Sequence, residues 1–125
     1  MKLITEEIKK RFDEVGSQEE NLDPIVIAKF FDPCGSATWY ATEYDAEHNV
    51  AFGYVTGLFE DEWGSFSITE LESTQRPLGL KIERDIYCNE KTISQWVPEL
   101  KTTIEAARQR QEVEVQDQKQ PKLRR

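Results

Sequence analysis

The sequence predicts a single α+β domain: a mainly antiparallel, curved sheet of about five strands with an N-terminal and a C-terminal helix. Three observations lead there. Residues 23–87 hold all four tyrosines, two of the three tryptophans and five of the six phenylalanines. Within that block aromatics alternate with small or polar residues, as in Trp39-Tyr40-Ala41-Thr42-Glu43-Tyr44-Asp45, which is the period of a pleated strand. Near both ends the apolar residues recur instead at three- and four-residue steps, the period of a helix.

The first helix places Ile4, Ile8, Phe12 and Val15 on one face, with Thr5 as its N-cap and Gly16 as its stop. An acidic loop follows, and Pro24 ends it. Residues 25–31, apolar and β-branched, read as one internal strand. Residues 32–36 form a turn, and Thr38–Asp45 is the second strand. A short hairpin connection over 46–49 puts Asn49 at a left-handed position. The third strand spans 50–57, where Gly53 and Gly57 mark a bulge, a bend or a close backbone approach. Glu60-Asp61-Glu62-Trp63-Gly64 reads as an acidic turn and residues 65–67 as a short fourth strand. Ser67 and Glu70 have capping-box spacing, so a short helix begins there. Residues 76–80 break it, and 81–87 alternate as a fifth strand. Thr92 to Trp96 makes one helical turn. Pro98 then opens a helix from Glu99 to about Gln111, with Leu100, Ile104 and Ala107 on one face. The composition divides the chain into a domain over 1–97, a helix over 98–114 and a basic tail over 115–125 that lacks apolar periodicity and is expected to be disordered.

Charge is unevenly placed. Residues 1–100 hold nine basic and twenty acidic groups, a net of −11, whereas 101–125 carry +3. An acidic body disfavours contact with a phosphate backbone, because such binding depends on releasing counterions from a positive surface. No apolar run approaches the roughly 18 residues of a membrane helix, and the acidic start is unlike a signal peptide. A cytoplasmic protein with no membrane contact is expected. Cys34 and Cys88 stand apart from any ligand pattern and read as reduced thiols. No phosphate-cradling glycine loop, nucleophile elbow or calcium loop occurs, so neither cofactor nor metal is expected.

Several blocks together resemble the bacterial domain-of-unknown-function family 2958. They are residues 23–31, the Thr38–Asp45 strand, Phe52-Gly53-Tyr54-Val55 with Gly57, Gly64-Ser65-Phe66-Ser67 with Glu70-Leu71, and Pro77-Leu78-Gly79-Leu80 with Glu83-Arg84-Asp85. The resemblance covers about residues 2–95 and leaves the C-terminal helix outside. It implies a small α+β domain met on plasmids, integrative elements and related mobile DNA, and it supplies no activity.

The sharpest local features are the Trp39, Tyr40, Glu43, Tyr44 and Asp45 strand, Tyr54 on its neighbour, and the Glu83-Arg84-Asp85 triplet. Strand parity puts Tyr40, Thr42 and Tyr44 on one face and Trp39, Ala41 and Glu43 on the other. Core packing is the stronger reading of these aromatics, and an ion pair from Arg84 to Glu43 or Asp45 the stronger reading of the charges. His48, in a turn beside Asp45 and Glu47, reads as solvated. Three functions follow in order. The first is a non-enzymatic accessory protein of a mobile element that binds another protein through an aromatic and acidic surface. The second is single-stranded nucleic-acid binding through strand aromatics and the basic tail. The third is a small ligand-binding or hydrolytic domain built on Glu43, Arg84 and Asp85. Oligomeric state is not legible in the chain.

Overall fold

The structure, a computed structural model, describes residues 1–119. Helix α1, Glu6–Val15, starts where expected: Thr5 Oγ1 accepts a hydrogen bond from Ile8 N–H, and Gly16 at φ +69° ends the helix. Ile8, Phe12 and Val15 lie against the sheet. That sheet has five antiparallel strands: β2 (Ala28–Phe31), β3 (Thr38–Asp45), β4 (Val50–Thr56), β5 (Glu62–Ser67) and β6 (Glu83–Arg84). Their order is β5-β4-β3-β2-β6. A separate two-stranded ribbon joins β1 (Ile25–Val26) to β7 (Lys91–Thr92).

Both faces are covered. One packs under α1 and α2 (Ile68–Ser73), around Leu3, Phe12, Phe30, Trp39, Ile68 and Ile82. The other packs under α3 (Ile93–Trp96) and the start of α4 (Lys101–Lys119), around Val26, Tyr40, Tyr54, Ile93, Val97 and Ile104. Single-domain α+β architecture is therefore what the alternation and the helical periods predicted.

Three local expectations about the strands are corrected. The run 25–31 breaks at Ile27, because the side-chain amide of Gln18 takes both the N–H and the C=O of Ile25, and those groups no longer serve the main sheet. The edge strand β5 begins at Glu62, so Trp63 and Gly64 belong to it and not to a turn; Gly64 pairs with Gly53 and leaves the ladder regular. The alternation over 81–87 gives only a two-residue strand and, at Lys81, an isolated bridge to Gln75, since the Asp85 carboxylate accepts the Tyr87 N–H and turns the chain. Ile86 and Tyr87 consequently lie in water.

The C-terminal helix also runs further than composition predicts. It is preceded by a short 3-10 turn at Pro98–Leu100 and continues to Lys119, so residues 115–119, expected to be disordered, are helical. Glutamate, glutamine and arginine are good helix formers even without a buried face. Residues 120–125, the rest of the expected basic tail, lie outside the described residues. Among the described residues no helix is long and apolar enough to cross a membrane.

Candidate functional site

A β-bulge in the middle of β3 sets the geometry of the part of the α3–α4 face that those helices leave open. Ala41 pairs with Gly53 and Glu43 with Phe52, so Thr42 is the extra residue. Its hydroxyl donates to the Phe52 carbonyl at 3.3 Å, and its own carbonyl accepts the Gln18 side-chain N–H at 2.9 Å. The inserted residue reverses the alternation beyond it. Tyr44 therefore joins the α1 face, with its ring 5.6 Å from Phe12, and does not share a face with Tyr40. Glu43 turns to the opposite face.

There it borders a cleft of about 470 Å³. Phe52 and Trp63 wall one side, their rings stacked at 6.1 Å and inclined by 14°. Tyr54 stands edge-on to Trp63 at 5.1 Å and holds it in place from below. The loop from Gln18 to Pro24 forms the other side, with Glu19, Asn21 and Leu22 facing in. Gln18 is itself buried, and its three hydrogen bonds tie that loop to β1 and to the bulge. Phe52 and Trp63 keep 39% of their surface in water, so the stack is a built but incompletely covered aromatic wall.

Of the residues singled out from the sequence, Glu43 alone lines this cleft. Trp39 is buried in the first core, and Tyr40 and Tyr54 are buried in the second. Tyr40 packs on Trp96, whose indole is flanked by the ammonium groups of Lys29 and Lys91 at 4.6 and 4.7 Å. Asp45 caps the hairpin turn: its carboxylate accepts from the N–H groups of Glu47 and His48 and lies 2.7 Å from His48 Nδ1. That hydrogen bond from His48 holds the Asp45 carboxyl below its usual range. Asp45, Glu47 and His48 are close enough to share a cation but are all exposed.

Glu43, Arg84 and Asp85 are not brought together. The expected ion pair from Arg84 to Glu43 or Asp45 is absent from the described residues. Arg84 lies on the α1 side, where its guanidinium donates to the backbone carbonyls of Lys2 and Leu3 and fastens the N-terminus. Asp85 binds Lys29 at 3.3 Å on the other side. The residues that sequence reasoning passed over are Phe52, Trp63 and Gln18. An aromatic among three acids, Trp63, was the one legible signal.

Burial raises the phenol pKa of Tyr40, Tyr44 and Tyr54. The folded state thus holds these protons more tightly than the unfolded chain does. The stability this confers is fully present below the ordinary tyrosine value of about 10 and is lost as pH rises through the folded values. In an alkaline titration, the phenolate absorbance of these three side chains is expected to appear in step with loss of native circular dichroism. Free titration of Tyr40, Tyr44 and Tyr54 at the ordinary value, with the fold intact, would contradict the packing. The Cys88 thiol is likewise pushed up by burial, and Cys34 and Cys88 are both free.

A protein-family model described as "Protein of unknown function (DUF2958)" matches residues 3–114. No curated protein and no solved structure matches the chain. The match takes in most of α4, which the sequence blocks alone placed outside the family-like region; the helix that roofs Tyr40 and Tyr54 is part of what is matched. The chain therefore belongs to the DUF2958 family.

Proposed function

We propose that this protein is a non-enzymatic accessory protein of a bacterial mobile genetic element, and that it acts by holding a segment of another protein. The observation that supports this best is the cleft, where two stacked aromatic rings stand partly in water beside Glu43 and Glu19. Covering exposed aromatic surface gains about 25 cal/mol per Å², and aromatic anchors dominate the energy of protein interfaces. The acids at the rim favour a cationic partner and speed its encounter. The family resemblance supports a setting among the products of mobile DNA, and we propose the cytoplasm as its location.

The same acids repel a phosphate backbone, and Tyr40 and Tyr54 are covered and so do not offer faces for base stacking. Recovery of the tagged protein from its native bacterial host, with protein and nucleic acid both analysed, tests the proposal. A protein partner is expected, and the Phe52→Ala/Trp63→Ala double variant should lose it while keeping its circular dichroism. Recovery of nucleic acid with a steep salt dependence would favour single-strand binding instead. Finding neither would overturn both.

A further inference from the structure

The outer edge of β5 closes the sheet on one side, and no other strand covers it among the described residues. Ile68 N–H donates to the Asn49 carbonyl, which fixes the phase of the β4–β5 ladder. From there Ala51–Phe66, Gly53–Gly64 and Val55–Glu62 are the hydrogen-bonded pairs. The backbone N–H and C=O groups of Trp63 and Ser65 consequently point outward, away from β4. Neither makes a protein hydrogen bond among the described residues. Open edges of this kind are usually blunted by prolines, lysines or a covering segment. Here the strand is Glu62-Trp63-Gly64-Ser65-Phe66-Ser67, with none of these.

Each side of that edge has a hollow. On one side the strand is flanked by Trp63 and the aromatic cleft. On the other, a hollow of about 300 Å³ lies among the apolar side chains of Trp39, Val55, Leu58, Phe59 and Phe66, with Glu60 and Glu62 also lining it. Phe59 is fully exposed there, and a Cβ added at Gly64 would meet nothing within 4 Å, so the row of side chains has a gap. Successive residues of a strand laid along β5 would lie alternately against the outer side of Trp63 and in the hollow beside Gly64. At the head of the strand stand Glu60, Asp61 and Glu62, all exposed.

We infer that the β5 edge takes up an extended segment of a partner protein, alternating basic and apolar residues, as a sixth strand. The inference rests on the binding function proposed above and names the partner's chemistry and mode of attachment. Main-chain bonds to Trp63 and Ser65 supply the register, the hollow beside Gly64 takes apolar side chains, and the acidic head of the strand takes lysine or arginine. A second copy of this chain is the less suitable occupant, because it would set one acidic surface against another.

The test uses the full chain and a synthetic peptide alternating lysine with valine, beside a control alternating glutamate with valine. Binding of the lysine peptide is expected, with slowed hydrogen exchange at the Trp63 and Ser65 amides, and none of the glutamate peptide. Ser65→Pro removes the outward N–H at a position where an edge strand tolerates proline; it should weaken binding about tenfold. Ser65→Ala keeps that N–H and should bind as the parent does. Circular dichroism of both variants establishes that they are folded.

Absence of lysine-peptide binding, or equal binding by folded Ser65→Pro, would overturn the edge. Protection of the same amides that grows with protein concentration alone would overturn it in favour of self-association. Because the Phe52→Ala/Trp63→Ala variant reports on the cleft, loss of a host partner there with Ser65→Pro unaffected leaves the binding function standing without the added strand.

Discussion

Gly53→Ala is expected to lower stability by about 4 kcal/mol or more, in the range reserved for severe core damage. A Cβ at Gly53 would lie 1.8 Å from the Tyr40 backbone carbonyl oxygen, in the middle of the β3–β4 ladder. A flexible side chain could move aside, but this neighbour is the main chain of a central strand, itself buried between two cores. The strands must separate or the bulge at Thr42 must be lost. Either change removes several interstrand bonds from a domain whose whole stability is expected at about 5–15 kcal/mol. Its partner across the ladder supplies the control. A Cβ at Gly64 meets nothing within 4 Å, so Gly64→Ala should change stability by about 0.5 kcal/mol or less. Urea denaturation of the two variants separates the cases. Equal midpoints would mean that the close approach at Gly53 has no energetic consequence.

Gln18→Ala is expected to cost about 3 kcal/mol. The amide donates to the carbonyls of Ile25 and Thr42 and accepts from the Ile25 N–H, at 2.8 to 2.9 Å, and the side chain is buried. Truncation leaves up to three main-chain groups without partners where water enters poorly. A buried polar group without a partner costs about 1–3 kcal/mol, and water admitted to the new space recovers part of it. The same change should loosen the loop that faces the Phe52–Trp63 wall. Faster hydrogen exchange at Ile25, together with a lower denaturation midpoint, is the combined signature. An unchanged midpoint with unchanged exchange would show that Gln18 does not hold the loop.

The helices and strands were readable because their signals are local. Thr5 and Gly16 bound α1 through contacts within one turn of the chain. Asn49 takes its left-handed turn at φ +54° for reasons contained in a four-residue hairpin. The alternation of Thr38–Asp45 marked β3 to the residue. By contrast, strand parity failed at Thr42. An inserted residue leaves no mark in composition, and its cause is a pair of contacts to Gln18 and Phe52 distant in sequence. Reversing the side chains beyond it sent Tyr44 under α1 and Glu43 into the cleft.

The charged triplet shows the same limit. Sequence proximity put Glu83, Arg84 and Asp85 in view together, while the sheet sends Arg84 to the N-terminal carbonyls and Asp85 to Lys29.

By itself, then, the sequence determined an acidic α+β domain with its aromatics in a five-stranded antiparallel sheet and helices toward both ends. Periodicity, caps and turn residues act over a few neighbouring residues and need no knowledge of the rest of the chain. Only the tertiary structure decided which aromatics remain in water, which acids stand beside them and which strand edge is open. Those outcomes depend on register, on one bulge and on the buried amide of Gln18 bonding to a carbonyl 24 residues away. The aromatics most conspicuous in the chain, Trp39 and Tyr40, became core, and the less conspicuous Phe52 and Trp63 became the surface available for binding.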